Sequence, residues 1–397
     1  MTTPPPAESP PPTRTLDGGL MLLLAATQLM AASTIHYQTP MLGAIAVDFG
    51  SSAAQAGWVA TGTFFGFLVG IVLLVPLGDR LDKRKLILAQ HVGTMVALLG
   101  MAAAPTLPAL VAMSFVTGLV AGYTQNIVPF VAELARPTER GRAVSTILTA
   151  LFLGILFGRV TSGFVASYFG WRWIYVISAA ILLVLLPLLV ARLPSTPPKT
   201  SLPYRSLIRS ILELLRANAD LRRVATTQVL LGICYGGFWA TVAPMLLLFH
   251  GLGPAQAGLI GIPGAAGILV ARPAGRWMDR HGVIPVVTAG AVLVFAAFLA
   301  FAFAAWWIGA VIAGAVLLDS GLRAAMVANQ TLANSAVPDA RSRGNTIFAA
   351  HVWGGNAIGA FLASTALTHA GWLAVCAICA SAAAAAVLLQ RRAAAKA

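Results

Sequence analysis

Asp319 and Arg323 stand four residues apart inside an apolar stretch of membrane length, on one face of a helix. Arg159 falls inside another such stretch. Charges set in hydrocarbon are costly and mark ion or substrate pathways. The 12 acidic residues are Glu8, Asp17, Asp48, Asp79, Asp82, Glu133, Glu139, Glu213, Asp220, Asp279, Asp319 and Asp339, and only Asp319 sits near the middle of an apolar run. Burial favours the protonated carboxylic acid, whereas a nearby guanidinium favours the carboxylate. That competition lets a carboxyl take up and release a proton, so Asp319, Arg323 and Arg159 form a candidate proton-coupling set. A permanent ion pair orienting its helix is the alternative. Histidine ordinarily titrates near neutrality, so His36 is a secondary proton candidate, with His351 a weaker one.

These residues need long helices to hold them. Of the 397 residues 58% are hydrophobic and only 10% charged, which excludes an ordinary soluble protein. The apolar runs predict twelve spans: 19–43, 55–77, 86–104, 107–131, 143–168, 172–192, 223–248, 256–275, 284–304, 306–333, 344–368 and 371–390. In lipid each must satisfy its own backbone, so the fold class is an all-α membrane bundle. The net charge of +14 does not indicate nucleic acid, because all but four of the 26 Lys and Arg gather on one side of those spans. By the positive-inside rule that side is cytoplasmic, as are both termini. The exceptions are Arg159, Arg172, Arg272 and Arg323; Arg272 can snorkel at its helix end and reads as structural.

The chain divides into a Pro-rich tail (1–17), a six-helix half (18–192), a linker (193–222), a second six-helix half (223–390) and a short tail (391–397). The first apolar run leads into a full span, so no cleavable signal is expected. In the linker, Leu207, Ile208, Ile211, Leu212 and Leu215 share one helical face opposite Arg205, Arg209 and Glu213, which predicts an amphipathic helix lying at the lipid surface. Cys234, Cys376 and Cys379 lie in apolar helices as packing residues.

The halves repeat each other. Ala54-Gln55-Ala56-Gly57 recurs as Ala255-Gln256-Ala257-Gly258, Asp79-Arg80 as Asp279-Arg280, Pro137 and Arg140 as Pro338 and Arg341, Gly154 and Gly158 as Gly355 and Gly359, and Gly170-Trp171 as Gly371-Trp372. Each pair is 200 or 201 residues apart, in the same order. This predicts two parallel halves related by an axis along the membrane normal.

Pro76-Leu77-Gly78-Asp79-Arg80-Leu81-Asp82-Lys83-Arg84-Lys85 resembles the loop between helices 2 and 3 of the major facilitator superfamily, G-x-L-A-D-R-x-G-R-K, with Pro76 and Asp82 in place of two glycines. The second copy, Gly275-Arg276-Trp277-Met278-Asp279-Arg280-His281-Gly282, keeps both. With Leu318-Asp319-Ser320-Gly321 and Asn329-Gln330, the wording is most similar to bacterial arabinose-efflux-like and acriflavin-sensitivity efflux permeases. The resemblance implies that Asp79 contacts the start of helix 11 near Gly344 and pairs with a base such as Arg140 when the cytoplasmic side is closed. Gly78, Asp79, Arg80, Arg84, Arg140, Gly275, Asp279, Arg280, Gly282 and Arg341 are then gate residues; the alternative is that they set topology and turn geometry. Gly154-Ile155-Leu156-Phe157-Gly158-Arg159 occupies the place of the helix 5 antiporter motif, but Arg159 replaces its proline and points to an anionic or hydroxylated substrate. Ser114 stands where such antiporters often carry an Arg in helix 4.

In this fold helices 1, 4, 7 and 10 usually form the cavity. Gln28, Tyr37, Gln38, Gln125, Asn126, Gln228, Tyr235 and Asn329 are the substrate-binding candidates, with His36 and Gln330 offered by the same helices, each alternatively an interhelical hydrogen bond; Asn329 and Gln330, near the cytoplasmic end, read as mostly structural. No nucleotide-binding loop, zinc cluster or catalytic triad is present, so neither an enzyme nor a cofactor or metal is expected. The reading is a secondary transporter of a bacterial inner membrane, exporting a sugar-like metabolite or drug by proton antiport. A proton-independent facilitator, an anion or sugar exchanger and a non-transporting sensor or scaffold are the alternatives. Its partners are the substrate, protons and lipid, with no obligatory protein partner.

Overall fold

In a computed structural model, residues 16–196 and 203–395 are described, the side chain of Asp339 excepted, and over these residues the chain is helices and short turns. The helices long and apolar enough to cross a membrane are Gly18–Asp48, Ala53–Arg80, Lys83–Ala102, Leu107–Leu134, Arg140–Phe169, Arg172–Arg192, Ala219–His250, Pro254–His281, Val283–Ala302, Ile308–Ser335 and Arg341–Ala394. The last turns at Gly371, whose φ of 77° is one that only glycine adopts freely. It is therefore two spans, 341–370 and 372–394, which makes twelve spans among the described residues. Gly170, at φ 93°, turns the chain between spans 5 and 6 in the same way. The tryptophan after each glycine is pegged by its indole N–H, Trp171 to Asp48 Oδ2 and Trp372 to the Phe301 carbonyl.

Several spans are broken where one continuous helix was expected. Span 1 loosens after Thr34, because Pro40 has no N–H to continue the ladder. The freed carbonyls accept from side chains instead: Thr34 Oγ1 donates to Ala31 O, Gln38 Nε2 to Ile35 O and Thr39 Oγ1 to His36 O. Span 8, expected as one helix over 256–275, is three pieces, Pro254–Leu259, Gly261–Ala265 and Gly267–His281, with Pro263 in the middle piece. Its glycines let span 10 come close. A Cβ on Gly264 would lie 2.9 Å from Asp319 Oδ2, and one on Gly267 would lie 2.6 Å from the Asp319 carbonyl carbon. Spans 7 and 11 approach in the same manner, where a Cβ on Gly236 or Gly359 would lie 2.6 Å from the Cα of Asn356 or Ile233.

One end of the bundle carries the basic loops. At the other end the N-termini of spans 2 and 8 close the structure. Helix N-termini leave amides without intrahelical partners. Ala54 N donates to Thr368 Oγ1 of span 11 at 2.8 Å, and Ala255 N donates to Ser167 Oγ of span 5 at 3.0 Å. A Cβ on Gly57 would meet Ser364, and one on Gly258 would meet the Arg159 carbonyl. The repeated Ala-Gln-Ala-Gly motif is thus a seam between spans 1–6 and spans 7–12.

The linker helix, Tyr204–Ala217, differs from its expected place at the lipid surface. Ile211 is buried against Leu221, Val224, Val337 and Phe348, while Leu212 alone of the five apolar residues stays exposed. Burying that face on spans 7, 10 and 11 removes it from water as effectively as lipid would. Tyr204 Oη donates to Leu73 O at 2.6 Å, tying the start of the helix to span 2.

Candidate substrate cavity

A cavity of about 220 Å³ lies between the halves. Its walls come from His36 of span 1, Gln125 of span 4, Phe152 and Ile155 of span 5, Gln228 and Tyr235 of span 7, Asp319 and Arg323 of span 10, and Phe348, Trp353 and Asn356 of span 11. Near the basic end it is lined by Leu148, Gln330 and Asn345, of which Leu148 and Gln330 are exposed. The cavity therefore opens toward the basic end and stops at the seam of spans 2, 5, 8 and 11.

Asp319 sits at its closed end, 3% exposed. Its Oδ1 is 4.0 Å from Arg323 Nη2, a loose ion pair, and its Oδ2 has no hydrogen-bond partner among the described residues. The Arg323 guanidinium lies over the Phe152 ring, 4.7 Å from its centre. Asp319 and Arg323 also line a small annex of about 20 Å³, room for about one water. Arg159 forms its far wall. Span 7 holds Arg159 in place: Nη2 donates to Tyr235 Oη at 2.5 Å, and the guanidinium carbon is 3.4 Å from the centre of the Trp239 ring. Its Nε has no partner. The three residues expected to act together thus line one small annex. His36 faces the same cavity; its Nδ1 is 3.0 Å from Ala32 O and its ring stands edge-on to Trp353.

Of the expected substrate contacts, Gln125, Gln228 and Tyr235 line the cavity and five others do not. Tyr37 Oη accepts from Ser178 inside the first half. Gln38 bonds the Ile35 carbonyl, and Asn126 donates to Gln90 Oε1 at 3.4 Å beside Gly78. Gln28 and Asn329 are buried away from it, Gln28 with both amide atoms unpartnered. The correction has a simple cause: neighbouring helical residues point about 100° apart, so Gln125 in the cavity sends Asn126 into span 3. Conversely Gln330, expected to be structural, is on the wall and donates to Asn345 Oδ1 at 2.9 Å. Phe152, Phe348, Trp353 and Asn356 carried no distinguishing signal beyond being aromatic or amide side chains in apolar runs.

At the basic end the gate residues are apart. The Asp79 side chain makes no hydrogen bond or ion pair among the described residues, and neither does that of Arg80, Arg140, Asp279, Arg280 or Arg341. Gly344, where Asp79 was expected to make contact, packs on Ala333 and Val337. Gly275 has open space around it, and Gly282 takes φ 83° between spans 8 and 9. The loop is ordered by other members. Lys83 pairs with Glu133, and Arg84 Nη2 donates to Val190 O at 2.6 Å. Asp82, in place of the second glycine, caps span 3 by accepting from Arg84 N and also accepts from Ser195 Oγ and Thr196 N. Partial burial pushes its carboxyl up, but those hydrogen bonds and the Lys85 charge outweigh it and hold the group below the usual carboxylate range.

The sequence model of the Major Facilitator Superfamily matches residues 22–272 and 224–396. The chain is 32% identical over 354 residues to the uncharacterized transporter YgaY of Escherichia coli O157:H7, covering 88% of this chain and 89% of that one. It is 24% identical over 392 residues to a multidrug resistance protein B homolog of Mycobacterium tuberculosis, covering 81% and 71%. A crystal structure of a D-xylose-proton symporter superposes with a TM-score of 0.76 at 16% identity, over 94% of this chain and 96% of that one. Twelve apolar spans, a cleft between two sets of six and a family match over nearly the whole length agree: the chain belongs to the major facilitator superfamily and is a membrane transporter.

Proposed function

We propose that this protein is a secondary transporter that exports a small organic molecule across a bacterial cytoplasmic membrane by alternating access, with Asp319 carrying a coupled proton. The observation that carries the reading is Asp319 itself: buried, facing the cavity, with one oxygen unpartnered and the other held only loosely by Arg323. A carboxyl so placed is not locked into a close ion pair, so burial and the two guanidiniums compete over its proton, and proton relays in transporters use such groups. Taking the basic end as cytoplasmic, the cavity is open inward and closed outward. The two halves would rock about the fixed site, opening the Ala-Gln-Ala-Gly seam as the basic loops come together. Export is favoured by the relative named a multidrug resistance protein, and proton coupling by the fold shared with a named proton symporter. The sign of coupling depends on the substrate's charge. A neutral or cationic donor would compete with the proton for Asp319, which is antiport; an anion drawing on Arg323 would load with the proton.

Purified protein in liposomes with a trapped pH dye tests this. Adding substrate should move protons with the wild-type protein and not with Asp319→Asn, whose labelled-substrate exchange should persist. Accumulation of substrate against a gradient by Asp319→Asn would rule the assignment out. A second reading, proton-independent facilitation or anion exchange, is favoured by the surplus positive charge of Arg159 and Arg323; it predicts substrate flux with no pH signal.

A further inference from the structure

The closed end of the cavity holds one carboxylate and two guanidiniums, so one positive charge there is unmatched. Among the described residues Asp319 is the one acidic side chain on the walls of the cavity or its annex. The two arginines are not equivalent. Arg159 is 3% exposed and fixed by Tyr235 and Trp239. Arg323 is 16% exposed on the cavity wall, makes no hydrogen bond among the described residues and lies 4.0 Å from the nearest carboxylate oxygen. A guanidinium at membrane depth with its donors unused is costly to keep unless something supplies acceptors.

We propose that the substrate is an organic monocarboxylate with an aromatic or apolar body, its carboxylate forked onto Arg323 and its body against Phe152, Phe348 and Trp353. The planar fork of N–H donors on an arginine matches the two oxygens of a carboxylate. The rings beside it supply the apolar wall, and the amides of Gln125 and Gln228 remain for hydroxyl groups on the ligand. The proposal deepens the transport reading and rests on it for the identity of the site.

Arg323 cannot pair fully with Asp319 and with a substrate carboxylate together. Anion binding therefore favours the protonated form of Asp319, with the proton taken from water at the open end, and the acid crosses with its proton as an electroneutral load. The groups around Asp319 are Arg323 on its own helix, Arg159 from span 5, His36 across the cavity from span 1, the Tyr235 and Trp239 rings of span 7, and the uncharged backbone of Gly264 and Gly267 in span 8. Carboxylate affinity is then expected to rise as pH falls.

Three size-matched probes separate the charges: phenylacetate, phenylacetamide and phenethylamine, titrated calorimetrically against the full-length protein in detergent. Phenylacetate should bind about tenfold or more tightly than the other two. That preference should vanish in Arg323→Gln and survive, weakened, in Arg323→Lys, which keeps the charge and serves as the test if the glutamine variant does not fold. Asp319→Asn should bind phenylacetate with an affinity that no longer changes between about pH 5 and 8. Equal or tighter binding of the amide or amine, no binding of any probe, or a carboxylate preference that persists in Arg323→Gln overturns the proposal. Because binding is read without a membrane or gradient, failure of proton-coupled flux in liposomes would strike the transport reading and leave this result standing.

Discussion

At the scale of single residues, Arg159 shows how one side chain joins the two halves. It belongs to span 5, yet its hydrogen bond and its ring contact are both with span 7. A cation over an indole face is stabilised by about 0.5–2 kcal/mol, more when desolvated. The phenol oxygen of Tyr235 removes one of its otherwise unpaired buried donors. Tyr235→Phe should therefore destabilise the protein by about 1–3 kcal/mol, read as a lower melting temperature in detergent. A melting temperature equal to wild type would show that water or Asp319 takes over the donor. Asp82 illustrates the same scale in the loop. Its depressed carboxyl stabilises the start of span 3 above the usual carboxylate range, and that contribution is lost as pH falls through the lower folded value.

Among the elements, the N-termini of spans 2 and 8 carry the closure. Ala54 and Ala255 are 201 residues apart, and so are their partners Ser167 and Thr368, so the seam is built twice by the same device. Each bond satisfies an amide that the helix itself cannot, and is expected to contribute about 0.5–1.5 kcal/mol. Removing both acceptors with Ser167→Ala and Thr368→Val should shift the population toward the outward-open form by about tenfold, since about 1.4 kcal/mol is one decade. Labelling of a cysteine introduced beneath the seam, in a background lacking Cys234, Cys376 and Cys379, measures the shift. Unchanged labelling would mean that the glycine contacts at Gly57 and Gly258 suffice.

For the whole molecule, the open basic end and the unpaired Asp79 belong together. A contact that exists in one state alone biases the equilibrium by its own free energy. If Asp79 meets the start of span 11 only in the outward-open state, Asp79→Asn should enrich the inward-open form several-fold, about 1 kcal/mol for a charge at a helix N-terminus. Spin labels at the basic ends of spans 2 and 11 would report it as a longer mean distance. An unchanged distance distribution would leave Asp79 the topology-setting role alone. The linker helix adds a second brace at that end, fixed to span 2 through Tyr204 and packed through Ile211 on spans 7, 10 and 11.

The sequence by itself determined the span count, the repeat and the pairing of Asp319 with Arg323. Each is a one-dimensional quantity: the length of an apolar run, a fixed offset, a four-residue spacing on a helix. Tertiary structure alone decided which polar residues face the cavity. The break at Pro40 resets the helical register that an unbroken span 1 would keep, so Tyr37 and Gln38 turn inward to their own half while His36 reaches the cavity. It also decided that Arg159 answers to span 7, that the repeated Ala-Gln-Ala-Gly motif seals an end and that the linker helix covers protein. Those are contacts between residues tens to hundreds of positions apart, set by how close glycine lets two backbones come, and no local pattern encodes them.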